Sequence, residues 1–166
     1  MSGMRSLKLN PSTDSQSRFS NKRSRSSILE IDSWIPSKIQ AISPLVDRVM
    51  RLIEGAQCVP GAEFDIELAL RDALENAVVH GNQEDPEKRV HVRCRCQRGK
   101  EISIVVTDQG KGFDFEKMVA KGITSDPAVE HGRGIQLMKA YMDDVNFERR
   151  GSEVHMSKRS RTGLRS

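Results

Sequence analysis

Apolar residues recur in this chain with two different periods, and the change from one to the other marks where strands give way to helices. Val90, Val92, Cys94 and Cys96 alternate with His91, Arg93, Arg95 and Gln97, the period of a strand with one buried and one wet face. The turn signal "RGKE" follows and the more apolar "ISIVVTD" returns, so these segments predict a hairpin in a sheet that is at least partly antiparallel. Upstream, "SILEIDSW" alternates well enough for a first strand from Ser27. Pro36 ends it, Ser43 suits a helix N-cap and Pro44 the first helical position. Leu45, Val49, Leu52 and Ile53 then fall at helical spacing. "CVPGAE" breaks that helix, and a second is predicted from about Glu63 to His80, with Gly81 as its left-handed cap. Beyond a Gly-rich stretch from Gly110 to Gly134, "IQLMKAYMDDV" predicts a helix with Ile135, Met138 and Met142 on one side. "VNFERRGSEVHMSK" predicts a last hairpin turning at Arg149 to Gly151. Elements in this order define the α+β class, a two-layer α/β sandwich on a mixed, largely antiparallel sheet.

Composition narrows the picture. A chain of 166 residues suits one domain with a genuine core. No apolar run approaches the roughly 18 residues of a membrane span, and the basic start "MSGMRSLKLN" leads into no apolar stretch of a secretory signal. A cytoplasmic, membrane-free protein is expected. Cys58 reads as solitary, while Cys94 and Cys96 point together into the core, without further ligands spaced for a metal.

The net charge of +4 hints at nucleic acid, but its distribution argues otherwise. Residues 1–26 hold six Lys/Arg and one Asp, and residues 158–166 hold four Lys/Arg and no acid. Removing these ten cations and one acid from totals of 27 and 23 leaves 17 basic against 22 acidic residues in the middle. The basicity therefore belongs to the ends, and direct nucleic-acid binding is not expected of the domain. Three segments result: a disordered, Ser-rich basic arm over 1–26, one domain over 27–158 and a basic tail over 159–166.

Candidate chemistry lies in three places. "LRDALENAVVHGN" puts Asp72 and Asn76 four residues apart, on one face of an otherwise apolar helix. "DQGKGF" puts Asp108 at a strand end, followed by Gly110 and Gly112. "HGRGI" puts Gly132, Arg133 and Gly134 before a helix, where free N–H groups favour an anion. Each glycine pair alone is a tight turn, and neither is a Walker loop, since no Gly-Lys-Ser/Thr follows. Glu75 stands about 60° round the helix from Asp72 and reads as a surface residue able to pair with Arg71.

Taken in order, "ENAVVHGN", "DQGKGF" and "HGRGIQLMKAYMDDVNFERRGSEVHM" resemble the GHKL ATPase superfamily, and are most similar to its small bacterial anti-sigma-factor serine/threonine kinases. The resemblance covers about Ser27 to Lys158. It implies a Bergerat-type ATP pocket between helices and sheet, Mg²⁺ as cofactor and a homodimer. In that pattern Asn76 holds the metal, Asp72 is the catalytic base, and Asp108 accepts a hydrogen bond from the adenine amino group. Gly110 and Gly112 pass under the base and ribose, Gly132, Arg133 and Gly134 close over the phosphates, and Ser152 takes the place of a Thr near the adenine. The implied partners are a STAS-type anti-anti-sigma protein, phosphorylated on serine, and a sigma factor that is sequestered. The family's kinases usually carry Glu where this chain has Asp72, one methylene shorter. A non-catalytic, ATP-gated binding module is therefore the alternative, and a nucleic-acid role for the basic arms is a third.

Overall fold

The structure, a computed structural model, describes residues 28–112 and 133–161. The expected arm over 1–26, Gly132 with the rest of residues 113–132, and residues 162–166 of the tail lie outside them. Strands β1 (Ile28–Pro36), β2 (Arg89–Gln97), β3 (Glu101–Thr107), β4 (Asp144–Glu148) and β5 (Glu153–Arg159) form one sheet in the order β1-β2-β3-β5-β4. Every pairing among them is antiparallel, so the mixed element expected of the sheet is not found among the described residues.

Alternation sets which side faces inward. In register, Ile31, Cys94, Ile104, Met156 and Val145 form one row across all five strands, and Val92, Val106, Val154 and Phe147 form the next. Helices α1 (Ile42–Ala56), α2 (Glu63–Glu75) and α3 (Arg133–Tyr141) lie on this face. They bury Val46, Val49 and Ile53 from α1, Ile66, Leu70 and Leu74 from α2, and Met138 from α3 against it. Each such side chain contributes roughly 1.5–3 kcal/mol of apolar burial, which makes this layer the main cohesive term.

The other face of the sheet is polar. Arg95 pairs with Glu30 at 2.9 Å and His91 with Asp32 at 2.7 Å. Trp34, half exposed, stacks on the His91 ring with centroids 4.3 Å apart. Among the described residues no helix is long and apolar enough to cross a membrane.

Local structure departs from the sequence expectation at six points, the last helix among them, since it ends at Tyr141 and Asp144 and Val145 already belong to β4. α1 begins at Ile42 out of a short 3-10 turn, so Ser43 lies inside the first turn, where its Oγ accepts from Arg71 Nη1. The second helix stops being α at Glu75 and continues as a π turn, Asn76–Gly81. Gly81 is not left-handed, and the residue after it, Asn82, ends the run in ordinary helical geometry. Arg71 pairs with Glu67 at 2.9 Å rather than with Glu75, since Glu67 lies on the preceding turn of the same face. Cys58 is not solitary: it is bonded to Cys96 across a Cα separation of 5.6 Å, tying the segment after α1 to β2. Cys94 is the free thiol, and burial pushes its pKa up to about 12.

Lys158 was inconspicuous in the sequence. It is buried on the helix-facing side of β5, where its ammonium donates to the Tyr141 carbonyl and sits 3.4 Å from Asp65 and 3.7 Å from Asp143. One cation thus joins β5, the end of α3 and the start of α2.

Candidate functional site

The fold gathers the sequence's separate motifs at one end of the helix-sheet interface. Leu70 and Leu74, fully buried, set the rotation of α2, and the same rotation brings Ala73, Asn76 and Ala77 to a cavity of ≈ 310 Å³. The sheet contributes Val106, Val154 and Phe147 to its wall, and α3 contributes Ile135 and Met138. Four polar side chains, those of Asn76, His80, Gln83 and Asp108, interrupt this apolar lining. An apolar slot with a few placed polar groups suits a flat heterocycle with a polar edge.

Asp108 lies on the cavity wall, directly after β3. Its N–H donates to the Ser152 carbonyl at 2.8 Å, and its Oδ1 accepts the Gly110 N–H at 2.7 Å. Burial raises its pKa to about 6, against the opposing pull of the Gly110 N–H and the Lys88 charge. Two glycines make room for it. A Cβ on Gly81 would stand 2.3 Å from the Asp108 carboxyl carbon, and a Cβ on Gly110 would stand 2.0 Å from the Gly81 carbonyl oxygen. Gly81 is therefore required for close approach, not for a left-handed cap. Gly112, at φ +74°, passes the carbonyl of Arg150 in the β4-β5 turn.

Asp72 and Asn76 sit one turn apart, as expected, but of the two only Asn76 lines the cavity. Asp72 Oδ2 is buried without a hydrogen-bond partner among the described residues. Burial, and secondarily the charge of Glu75, raises the Asp72 pKa. A buried carboxylate oxygen that accepts no hydrogen bond is disfavoured unless something else supplies a donor. Gly134, in the first turn of α3, faces Asn76 so closely that a Cβ there would lie 3.2 Å from Asn76 Nδ2. The third motif thus meets the first. Arg133 is described for its backbone alone, as the first residue of α3. Ser152 is not part of the cavity wall: its hydroxyl donates to the Arg149 carbonyl, while its own carbonyl holds Asp108.

The π turn places His80, and the segment just beyond it places Gln83, at the cavity, and the sequence carried no periodic signal for the turn. Gln83 and Glu84 are both left-handed without being glycine, at φ 57° and 52°, a strained pair beside the site. Glu148, Glu153 and His155 offer a group of metal-ligating atoms, but on the sheet's opposite face. There Glu153 already accepts from His155 at 2.8 Å and Thr107 at 2.9 Å, with Arg149 at 3.5 Å. Although burial acts the other way, these donors hold its pKa low. This group is a satisfied ion-pair network.

The sequence model of the histidine kinase-like ATPase domain family matches residues 35–158. The chain belongs to that family, a class of ATP-using domains. Its place within the class is the branch of the anti-sigma-factor kinases. It is 33% identical to the anti-sigma F factor of Clostridium perfringens (strain SM101 / Type A) over 104 residues, 59% of this chain and 73% of that protein. The anti-sigma F factor of Heyndrickxia coagulans is 34% identical over 79 residues, 46% of this chain and 54% of the relative. The serine-protein kinase RsbW of Bacillus subtilis (strain 168) is 27% identical over 136 residues, 75% of this chain and 84% of the relative. The chain thus spans about half the length of the Heyndrickxia coagulans protein it matches, and more of the other two.

Proposed function

We propose that this chain is an ATP-dependent protein serine/threonine kinase that also acts as an anti-sigma factor. Its phosphoacceptor is a serine on a STAS-type anti-anti-sigma partner, and its second partner is a sigma factor. It works as a homodimer in the cytoplasm, with Mg²⁺ as cofactor. The relatives' names support the class of activity. One observation carries the chemistry: a buried carboxylate oxygen of Asp72, without a donor among the described residues, one turn before Asn76.

In this reading Asp108 accepts from the exocyclic amino group of adenine, and Val106, Val154 and Met138 cover the ring. Gly110 and Gly112 let the chain pass close to base and ribose. Gly132, Arg133 and Gly134 cover the phosphates, whose charge the amides at the start of α3 favour. Ser152 supports the base indirectly, through the carbonyl that fixes Asp108. The Asn76 side-chain oxygen would be the protein's donor to Mg²⁺, a cation that takes oxygen ligands. When bound, the ion neutralises charge across the phosphates. Asp72 takes the proton from the attacking serine hydroxyl. That oxygen bonds to the γ-phosphorus as the bond to the bridging oxygen breaks, releasing ADP. A raised pKa suits Asp72 to this role, because a base works best near the ambient pH.

Asp72, shorter than the family's usual Glu, favours a second reading in which nucleotide binding gates partner choice without transfer. Incubation with labelled ATP, Mg²⁺ and a STAS partner decides between the two. Label on the partner that disappears with Asn76→Ala supports the kinase. Saturable ATP binding with no label transferred supports the gated module.

A further inference from the structure

We propose that Asn82 is the positioning residue for Asp108, and that its carboxamide sets which purine the cavity accepts. The inference rests on the reading of the cavity as an ATP pocket, and it adds a residue outside the cavity wall. Asn82 directly follows the π turn and is completely buried, an unusual environment for an amide side chain unless both its donor and its acceptor are used.

Both are used. Asn82 Nδ2 donates to the Arg89 carbonyl at 2.9 Å, at the start of β2. Asn82 Oδ1 accepts the N–H of Gln109, the residue after Asp108, at 2.8 Å. Gln109 closes the ring, its Oε1 accepting the Arg89 N–H at 2.7 Å. The backbone N–H of Asn82 donates to Ala77 within the π turn at 2.8 Å. One side chain thus links the turn that begins at Asn76, the first residue of β2 and the segment that carries Asp108.

The consequence for Asp108 is geometric. Its own N–H is held by Ser152 on one side, and the next N–H is held by Asn82 on the other. Between these anchors the carboxylate lies against Gly81 with no room for a Cβ. An acceptor fixed this way meets an amino group at the adenine 6-position, whereas guanine presents a carbonyl oxygen there and would oppose two acceptors. Only a carboxamide serves both neighbours. Aspartate would keep the acceptor for Gln109 but turn an oxygen toward the Arg89 carbonyl, and alanine would release both.

Calorimetric titration of the full chain with Mg-ATP and with Mg-GTP near pH 7.5, alongside thermal unfolding, tests the proposal. The wild type is expected to prefer ATP by at least ~10-fold, the effect of a hydrogen bond to a charged group. Asn82→Ala is expected to weaken ATP at least ~10-fold, the loss of a hydrogen bond to a charged group, and to bring the two affinities together. Asn82→Asp, isosteric and able to hold Gln109, should fall between, and it serves if alanine leaves the chain unfolded. A residue that merely stabilises the fold would lower the melting temperature and leave the ATP-to-GTP ratio unchanged. Either variant, folded and with the wild-type ratio, overturns the positioning role alone. A wild type that binds neither nucleotide, or both equally, overturns the ATP pocket and this inference together.

Discussion

Asp108 shows how one partly buried carboxyl group gives two opposite pH responses. Its folded pKa is about 6 against an ordinary value of 3.8, so the folded chain holds this proton more tightly than the unfolded chain does. Stability from this group is present below the ordinary value and is lost as pH rises through the folded one. Recognition of an amino group runs the other way, because it needs the ionised acceptor. ATP affinity should therefore fall as pH drops through about 6, while this group's contribution to the melting temperature rises. Asp108→Asn should flatten both profiles between pH 4.5 and 7 and weaken ATP relative to GTP; calorimetry and thermal scans over that range decide it. Asp72 makes a separate prediction. Asp72→Glu restores the reach of the family's base, so turnover should hold or rise with ATP affinity changed less than ~3-fold, and Asp72→Ala should abolish transfer while binding persists. A large fall in rate for the glutamate variant would remove Asp72 from the base role.

At the scale of elements, close approach rather than charge makes the sharpest predictions. Gly134→Ala pushes on Asn76 from 3.2 Å, so it should weaken Mg-ATP binding several-fold with little change in melting temperature. Gly81→Ala meets the Asp108 carboxylate itself and should lose both binding and stability; paired titrations and unfolding curves separate the two outcomes. These contacts also explain what was legible beforehand. The hairpins were, because Val90 to Cys96 and Ile102 to Val106 alternate with a period that only a half-buried strand satisfies. Asp72 and Asn76 were, because the α period holds from one to the other. Past Asn76 the period changes, and no pattern of apolar residues announces a π turn six residues long. Gly81 consequently read as a cap. Nothing in the sequence marks Asn82, because its side-chain partners lie on other segments, Arg89 seven residues on at the start of β2 and Gln109 27 residues on, past β3.

For the molecule as a whole, cohesion depends on links that only the folded chain reveals. Lys158→Ala would leave Asp65 and Asp143 without their shared cation and should cost no more than ~3 kcal/mol, the low end for a broken buried pair, because both aspartates keep contact with water; urea unfolding measures it. Cys58 and Cys96 are joined, so thiol titration of the oxidised chain in denaturant should count Cys94 alone, and three thiols after reduction. The wide winding of Asn76–Gly81 reaches further. Everything downstream is aimed by how many residues that stretch contains, not only by which ones. Removing a single residue there would let the coil tighten to its ordinary pitch and swing the following backbone by roughly 100°, turning Gly81 from the carboxylate it accommodates. A lineage could exchange side chains along this stretch for a long time, yet a change of length by one codon would uncouple the two halves of the site at a stroke.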